Sequence, residues 1–258
     1  MKKIFFIAVL LSSITTYSFN TSYKGYLVPK LDTTLIKQNT KITPISHATF
    51  IMKMKNIVIY FDPVGGAEAF KGQDTPNLIL ITDIHGDHLN IETLEAVTQQ
   101  ATTIIAPQAV ADKLTPDLKK QTLIIKNGET TTYEDIKIEA IPMYNLRDEA
   151  LKFHAKGRGN GYLLSQSDTR IYISGDTEDI PEMRNLKNID LAFVCMNLPY
   201  TMPVKNAADA VLDFKPKEVI PYHYRGTDGL SDINYFKSLI EAKNKTIKVT
   251  LLDWYSKN

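Results

Sequence analysis

Between Thr82 and His88 the chain reads Thr-Asp-Ile-His-Gly-Asp-His, so Asp83, His85, Asp87 and His88 set four side chains able to bind a metal within six residues. Imidazole and carboxylate groups hold a divalent ion without quenching it. Such an ion lowers the pKa of bound water toward neutrality and polarises the bond under attack. Asp83 and His85 alternate, so an extended segment points them the same way, and Gly86 lets the backbone turn before Asp87 and His88. The chemistry indicated is metal-assisted hydrolysis. A plain polar turn, with Asp87 or Asn90 capping a following helix, is the alternative. Two histidines and two aspartates at this spacing favour the metal.

These residues need elements to hold them. Leu78-Ile-Leu-Ile81 is a short, continuous apolar run, as expected of a strand covered on both faces, and it delivers the ligand run at its C-terminal end. A helix with Ile91, Leu94 and Val97 on one face should follow. Before it, Phe50–Met54 and Ile57–Phe61 flank Lys55-Asn56 as a hairpin. After it come strands at 103–106, 123–125 and 136–141, with a short helix over 109–114. A second hairpin with arms 161–164 and 170–174 leads to strands at 191–195 and 218–222. Helices carrying Ala207, Ala210, Val211 and Phe214, and then Ile233, Phe236 and Ile240, complete the pattern. No linker, low-complexity tract or fixed-period repeat divides it, so residues 19–258 read as one α/β domain with two halves sharing a core.

Acids and histidines recur at other strand ends: Asp176 follows the strand over 170–174, and His223 follows the strand over 218–222. In a layered α/β fold strand ends gather at one edge, so these residues can converge on the 83–88 loop. Taken alone, Asp176 in Gly175-Asp-Thr177 would be an ordinary turn residue, and His223 between two tyrosines a packed one.

Four further segments give these positions a context: Ile45-Ser-His-Ala-Thr-Phe50, Phe61-Asp-Pro63, Tyr172-Ile-Ser-Gly-Asp-Thr177 and Ile220-Pro-Tyr-His-Tyr224. With the 82–88 run they resemble the metallo-β-lactamase superfamily. Within it they are most similar to the L-ascorbate-6-phosphate lactonase-like and N-acylphosphatidylethanolamine phospholipase D-like hydrolases. The resemblance implies a four-layer αββα sandwich with one or two divalent metal ions between the sheets. It also implies that Asp87, His88 and His223 hold one ion and that Asp176 bridges to a second. Two departures stand out. Asp83 replaces a family histidine, and Asn145 stands where another histidine is expected after the strand ending near Pro142. His85 is then the strong nitrogen donor of that half, unless His154 swings in from its loop. Three carboxylates shift preference from zinc toward manganese or iron, although availability can override this. His47 fits a core position as well as a metal or substrate contact. Arg158, in Lys156-Gly-Arg-Gly-Asn160, reads first as part of a hairpin approach and second as a cradle for an anionic substrate.

Composition bounds the partners. With 258 residues, 43% hydrophobic and 23% charged, the chain can bury a sizeable core. Lys2 and Lys3, the apolar run Ile4–Ile14 and Thr16-Tyr-Ser18 read as a signal peptide over residues 1–18, which implies a periplasmic or secreted protein. Its loss removes two lysines and no acid, turning a formal charge of +1 into −1. A body so near neutrality gives no reason to expect nucleic acid, and no membrane span is expected after cleavage. Cys195, the only cysteine, sits in an apolar strand and reads as core. Oligomeric state is not readable.

The expected function is hydrolysis of an ester, lactone or phosphodiester bond in a small-molecule substrate by a metal-bound hydroxide, with Asp83 or Asp87 orienting it or shuttling its proton. A degenerate member that binds metal or ligand without catalysis is the alternative, and a true β-lactamase ranks below both.

Overall fold

The computed structural model describes residues 34–37 and 40–255, and the signal sequence read over 1–18 lies outside the described residues. The first sheet takes its strands in chain order: β1 (Thr34–Lys37), β2 (Thr40–Ser46), β3 (Thr49–Met54), β4 (Ile57–Phe61), β5 (Leu78–Leu80), β6 (Thr103–Ala106) and β7 (Thr122–Ile124). β1 to β4 form an antiparallel meander, and the β3–β4 hairpin closes through Lys55 at a left-handed φ of 51°. From β4 onward the pairing is parallel. Parallel neighbours require crossovers. These are α1 (Ile91–Val97) between β5 and β6, then α2 (Gln108–Ala111) and α3 (Pro116–Lys120) before β7.

The second sheet contains β8 (Thr130–Tyr133), β9 (Ile136–Met143), β10 (Gly159–Gln166), β11 (Thr169–Ile173), β12 (Leu191–Cys195) and β13 (Glu218–Tyr222). A short ribbon follows, β14 (Arg225–Gly226) with β15 (Gly229–Leu230), and β16 (Lys248–Val249) pairs beside β13 at the sheet edge. Helices α4 (Pro181–Arg184), α5 (Val204–Phe214) and α6 (Ile233–Lys243) connect these strands.

Alternation explains the layering. On β3, β4 and β5 the side chains of Phe50, Met52, Ile59, Phe61, Leu78 and Leu80 join the core shared with the second sheet. Ile51, Val58, Tyr60 and Ile79 instead join a separate cluster with Leu94, Val97, Val110 and Leu118 of the crossover helices. Period-two side chains thus feed two interfaces from one sheet. Between the sheets Phe50 stacks on Phe61 at 4.3 Å and on Phe193 at 4.6 Å. On the far side Ala207, Ala210, Val211 and Phe214 of α5, with Phe236 and Ile240 of α6, cover the second sheet. This is the expected αββα sandwich.

The expected hairpins, strands and helices all appear, with ends shifted by a few residues. The sequence reading missed β1, β2, β8 and β16, the ribbon of β14 and β15, and the one-turn helices α3 and α4, which are too short to show a period; β8 is a threonine-rich edge strand without an apolar face. Among the described residues no helix is long and apolar enough to cross a membrane.

Candidate metal centre

The site is assembled where strands end. β4 runs out at Phe61, and Asp62 follows at a left-handed φ of 43°. Its Oδ1 accepts from the Thr82 amide at 2.7 Å. Its Oδ2 accepts from the Thr82 hydroxyl at 2.6 Å and lies 2.8 Å from His88 Nδ1. A carboxylate facing Nδ1 accepts its N–H, which leaves Nε2 to face the site. That Nε2 is buried without a hydrogen-bond partner, 3.4 Å from Asp176 Oδ2. Asn90, not Asp87, caps α1 by accepting from the Thr93 amide at 2.7 Å, so Asp87 is left to the site.

Asp176 sits at the centre. β11 delivers it through Gly175, which turns at φ 61° and where a Cβ would come within 2.5 Å of Met143 Sδ. Its Oδ2 lies 3.4 Å from both His88 Nε2 and His154 Nε2, and its Oδ1 lies 3.4 Å from His223 Nε2. Asn197, beyond the end of β12, donates from Nδ2 to Asp176 Oδ2 at 3.1 Å. His223 follows β13 at φ 44°, with Nε2 3.2 Å from Asp87 Oδ2. His47 meets the His223 ring edge-on at 5.5 Å, and its ligand atom falls within 4.8 Å of those of Asp87 and His223.

The other half-site forms around Asp83, which is fully buried. His85 Nδ1 lies 2.5 Å and His154 Nε2 3.7 Å from Asp83 Oδ2. His154 arrives on the loop between β9 and β10, with Nδ1 3.2 Å from the Tyr200 carbonyl. Asn145 Nδ2 donates to the carbonyls of Ala150 at 2.8 Å and Tyr200 at 2.7 Å, so its two amide hydrogens hold this loop in place. With those hydrogens spent, Nδ1–H of His154 donates to Tyr200 and Nε2 is left facing the aspartates. Asn145 Oδ1 is buried without a partner.

Two triads therefore present one ligand atom each within 4.8 Å of one another: Asp83, His85 and His154, and His88, Asp176 and His223. Asp176 stands between them and Asp87 beside the second. Burial disfavours the charged forms of Asp83, Asp87 and Asp176. Against it, His223 and His88 hold Asp176 well below the usual carboxylate range, and the hydrogen bond from His85 lowers Asp83. Burial likewise opposes a charged His88, yet Asp176 and Asp62 together hold its pKa well above the ordinary imidazole value. These are carboxylates that seek positive charge. His88 Nε2 and Asp176 Oδ1, both buried without a hydrogen bond, each cost about 1–3 kcal/mol if left unpaired. Three carboxylates and four imidazoles in adjoining clusters are a donor set that fits divalent ions.

Above the donors lies a cavity of about 290 Å³, lined by His85, Asp87, Phe153, His154, Asp176, Asn197 and Tyr200. Phe153 and Tyr200 meet edge to face at 5.0 Å and form its apolar wall.

The sequence profile of the family described as "Beta-lactamase superfamily domain" matches residues 41–223, a span that holds every residue of both triads. A UPF0173 metal-dependent hydrolase of Thermococcus onnurineus is 31% identical over 217 residues, covering 80% of this chain and 95% of the relative. The chain belongs to the metallo-β-lactamase superfamily, among the UPF0173 metal-dependent hydrolases. A UPF0173 metal-dependent hydrolase of Pyrococcus furiosus is 30% identical over 220 residues, 80% of this chain and 95% of its own. A crystal structure from Parabacteroides distasonis, described as a candidate metal-dependent hydrolase, superposes with a TM-score of 0.76 at 37% identity over 88% of this chain and 99% of that one. Igni18, a metallo hydrolase of Ignicoccus hospitalis, shares the fold with a TM-score of 0.70 at 21% identity, over 84% of this chain and 96% of that one.

All six sequence-derived ligand candidates, Asp83, His85, Asp87, His88, Asp176 and His223, come together here, and His154 joins them. Two functional residues escaped the sequence reading. Asp62 was visible only as part of a resembling Phe-Asp-Pro segment, and its signal is a carboxylate ending a strand beside the ligand strand. Asn197 left no local signal, because its partners at 176 and 223 are remote in sequence.

Proposed function

We propose that this chain is a metal-dependent hydrolase that cleaves a carboxylic ester or lactone of a small molecule. The observation that carries the reading is the approach of His154 to Asp83 and Asp176, which supplies imidazole to the half-site where two family histidines are replaced. A divalent ion held by these residues supplies Lewis acidity and a water activated near neutral pH. Zinc, manganese and iron all suit the mixed nitrogen and oxygen donors.

The protein groups divide the remaining work. Asp87, whose side chain is 40% exposed at the cavity, is placed to orient the attacking water and accept its proton, whereas Asp83 is 0% exposed and engaged by Arg158. Asn197 fixes the Asp176 carboxylate, and Asp62 fixes His88. Phe153 and Tyr200 offer an apolar surface to the part of the substrate that leaves or stays behind. Among the described residues the cavity lining holds no lysine or arginine. That favours a neutral ester or lactone over a phosphodiester, the bond class that the lactonase-like and phospholipase-like resemblance also admits.

The test is a panel of aryl esters, lactones, a bis-aryl phosphodiester and a chromogenic cephalosporin, assayed with chelator-treated protein and after adding manganese, iron or zinc. Metal-restored cleavage of esters or lactones, abolished by Asp176→Ala, is the expected result. Equal metal-independent rates in wild type and variant would favour a binding role, and rapid cephalosporin turnover would make the chain a β-lactamase. The basic start and apolar run of residues 1–18 support export to the periplasm or medium. N-terminal sequencing of the mature chain should begin near residue 19, and an intact Met1 in the soluble fraction would refute it.

A further inference from the structure

We infer that Arg158 makes the two halves of the metal centre unequal, so that the chain holds one divalent ion tightly at Asp87, His88, Asp176 and His223 and a second, weaker one at Asp83, His85 and His154. The inference rests on the metal-centre reading above. Asp83 supplies the half-site's own carboxylate, and among the described residues it is the one site carboxylate that faces a guanidinium. Arg158 Nε donates to Asp83 Oδ1 at 3.2 Å and Nη2 to Oδ2 at 3.2 Å, a two-pronged fork onto both oxygens. Nη2 also donates to the Phe153 carbonyl, next to His154 in the chain, and the Arg158 amide donates to Ala155 at 3.2 Å. The guanidinium is thus fixed by its own loop and cannot leave without disturbing the segment that carries His154.

The consequence is a difference in charge. The fork neutralises Asp83 and engages both of its oxygens, so an ion that joins His85 and His154 there must share the carboxylate with the guanidinium. No lysine or arginine pairs with Asp87 or Asp176 among the described residues; their ion-pair partners are His88, His154 and His223. A cation entering the first half-site meets uncompensated negative charge. One entering the second also meets a fixed positive charge one residue-width away, in a buried setting where water screens little. Arg158 therefore acts through Asp83 as a positioning residue.

Equilibrium dialysis of the full chain, chelator-treated and then exposed to graded Mn²⁺, tests this with wild type, Arg158→Gln and Arg158→Lys. Wild type should bind its first equivalent at least about tenfold more tightly than its second. Gln keeps a donor to Asp83 without the charge, and should tighten the second equivalent by about tenfold while leaving the first unchanged. Lys keeps the charge without the fork, and should reproduce the wild-type separation. Two equally tight ions in wild type, a second equivalent indifferent to Arg158→Gln, or its loss from that variant would each overturn the inference. Binding of no Mn²⁺ by any of the three proteins is a different failure, that of the metal centre itself.

Discussion

Asp62 and Asp83 are the same residue type at the ends of neighbouring strands, both buried and both beside a histidine, yet they do different work. Asp62 spends its oxygens on Thr82 and on His88 Nδ1, so its role is to aim another ligand. Asp83 turns toward His85 and His154, where ligand atoms converge. Asp62→Asn should preserve the fold but weaken the first metal equivalent by about 10–100-fold, because the amide can present a donor to Nδ1 and shift the proton to Nε2. Dialysis against Mn²⁺ reads this directly, and unchanged affinity would remove Asp62 from the site. At this scale the sequence was legible where ligands cluster, in 83–88. It was silent where a partner is distant, as with Asn197, and ambiguous for His154, whose loop carries no period to say which way it turns.

The elements matter through how closely they approach. β5 and β10 belong to different sheets, and their ends are joined where the Asn160 amide donates to the Thr82 carbonyl at 3.0 Å and the Tyr162 hydroxyl donates to the Ile81 carbonyl at 2.7 Å. Gly159 permits the contact: a Cβ there would lie 2.8 Å from the Thr82 carbonyl oxygen and 2.4 Å from Met143 Cε. Gly159→Ala should cost about 1–3 kcal/mol of stability, since one of the two obstacles is backbone. It should also weaken the second metal equivalent, because Gly159 ends the loop that carries His154 into that half-site. Thermal melting and Mn²⁺ dialysis together check this, and a variant with wild-type melting and binding would show that the sheets can part at no cost. The hairpin, the buried strand and the amphipathic helices were legible because burial writes its period into the sequence. The closeness of β5 to β10 was not, because a glycine reads the same in a turn as beneath a carbonyl.

Across the whole molecule, two sheets bring carboxylates from separate strand ends into one buried cluster, a placement that favours whatever positive charge can join it. Bound metal should therefore stabilise the fold: Mn²⁺ at a hundredfold excess over its Kd adds about 2.7 kcal/mol, a rise of roughly 5–10 °C in Tm for a domain of this size. A Tm indifferent to Mn²⁺ concentration would contradict the cluster as a binding site. By itself the sequence determined the strand and helix periods, the layered fold they require and the ligand run at 83–88, all of them consequences of local spacing. Only the tertiary structure decided that His154 completes the half-site, that Asn145 holds its loop, and that Arg158 answers the charge of Asp83. Those choices depend on which loop ends meet across two sheets, and side-chain contacts between remote segments leave no period in the chain to read.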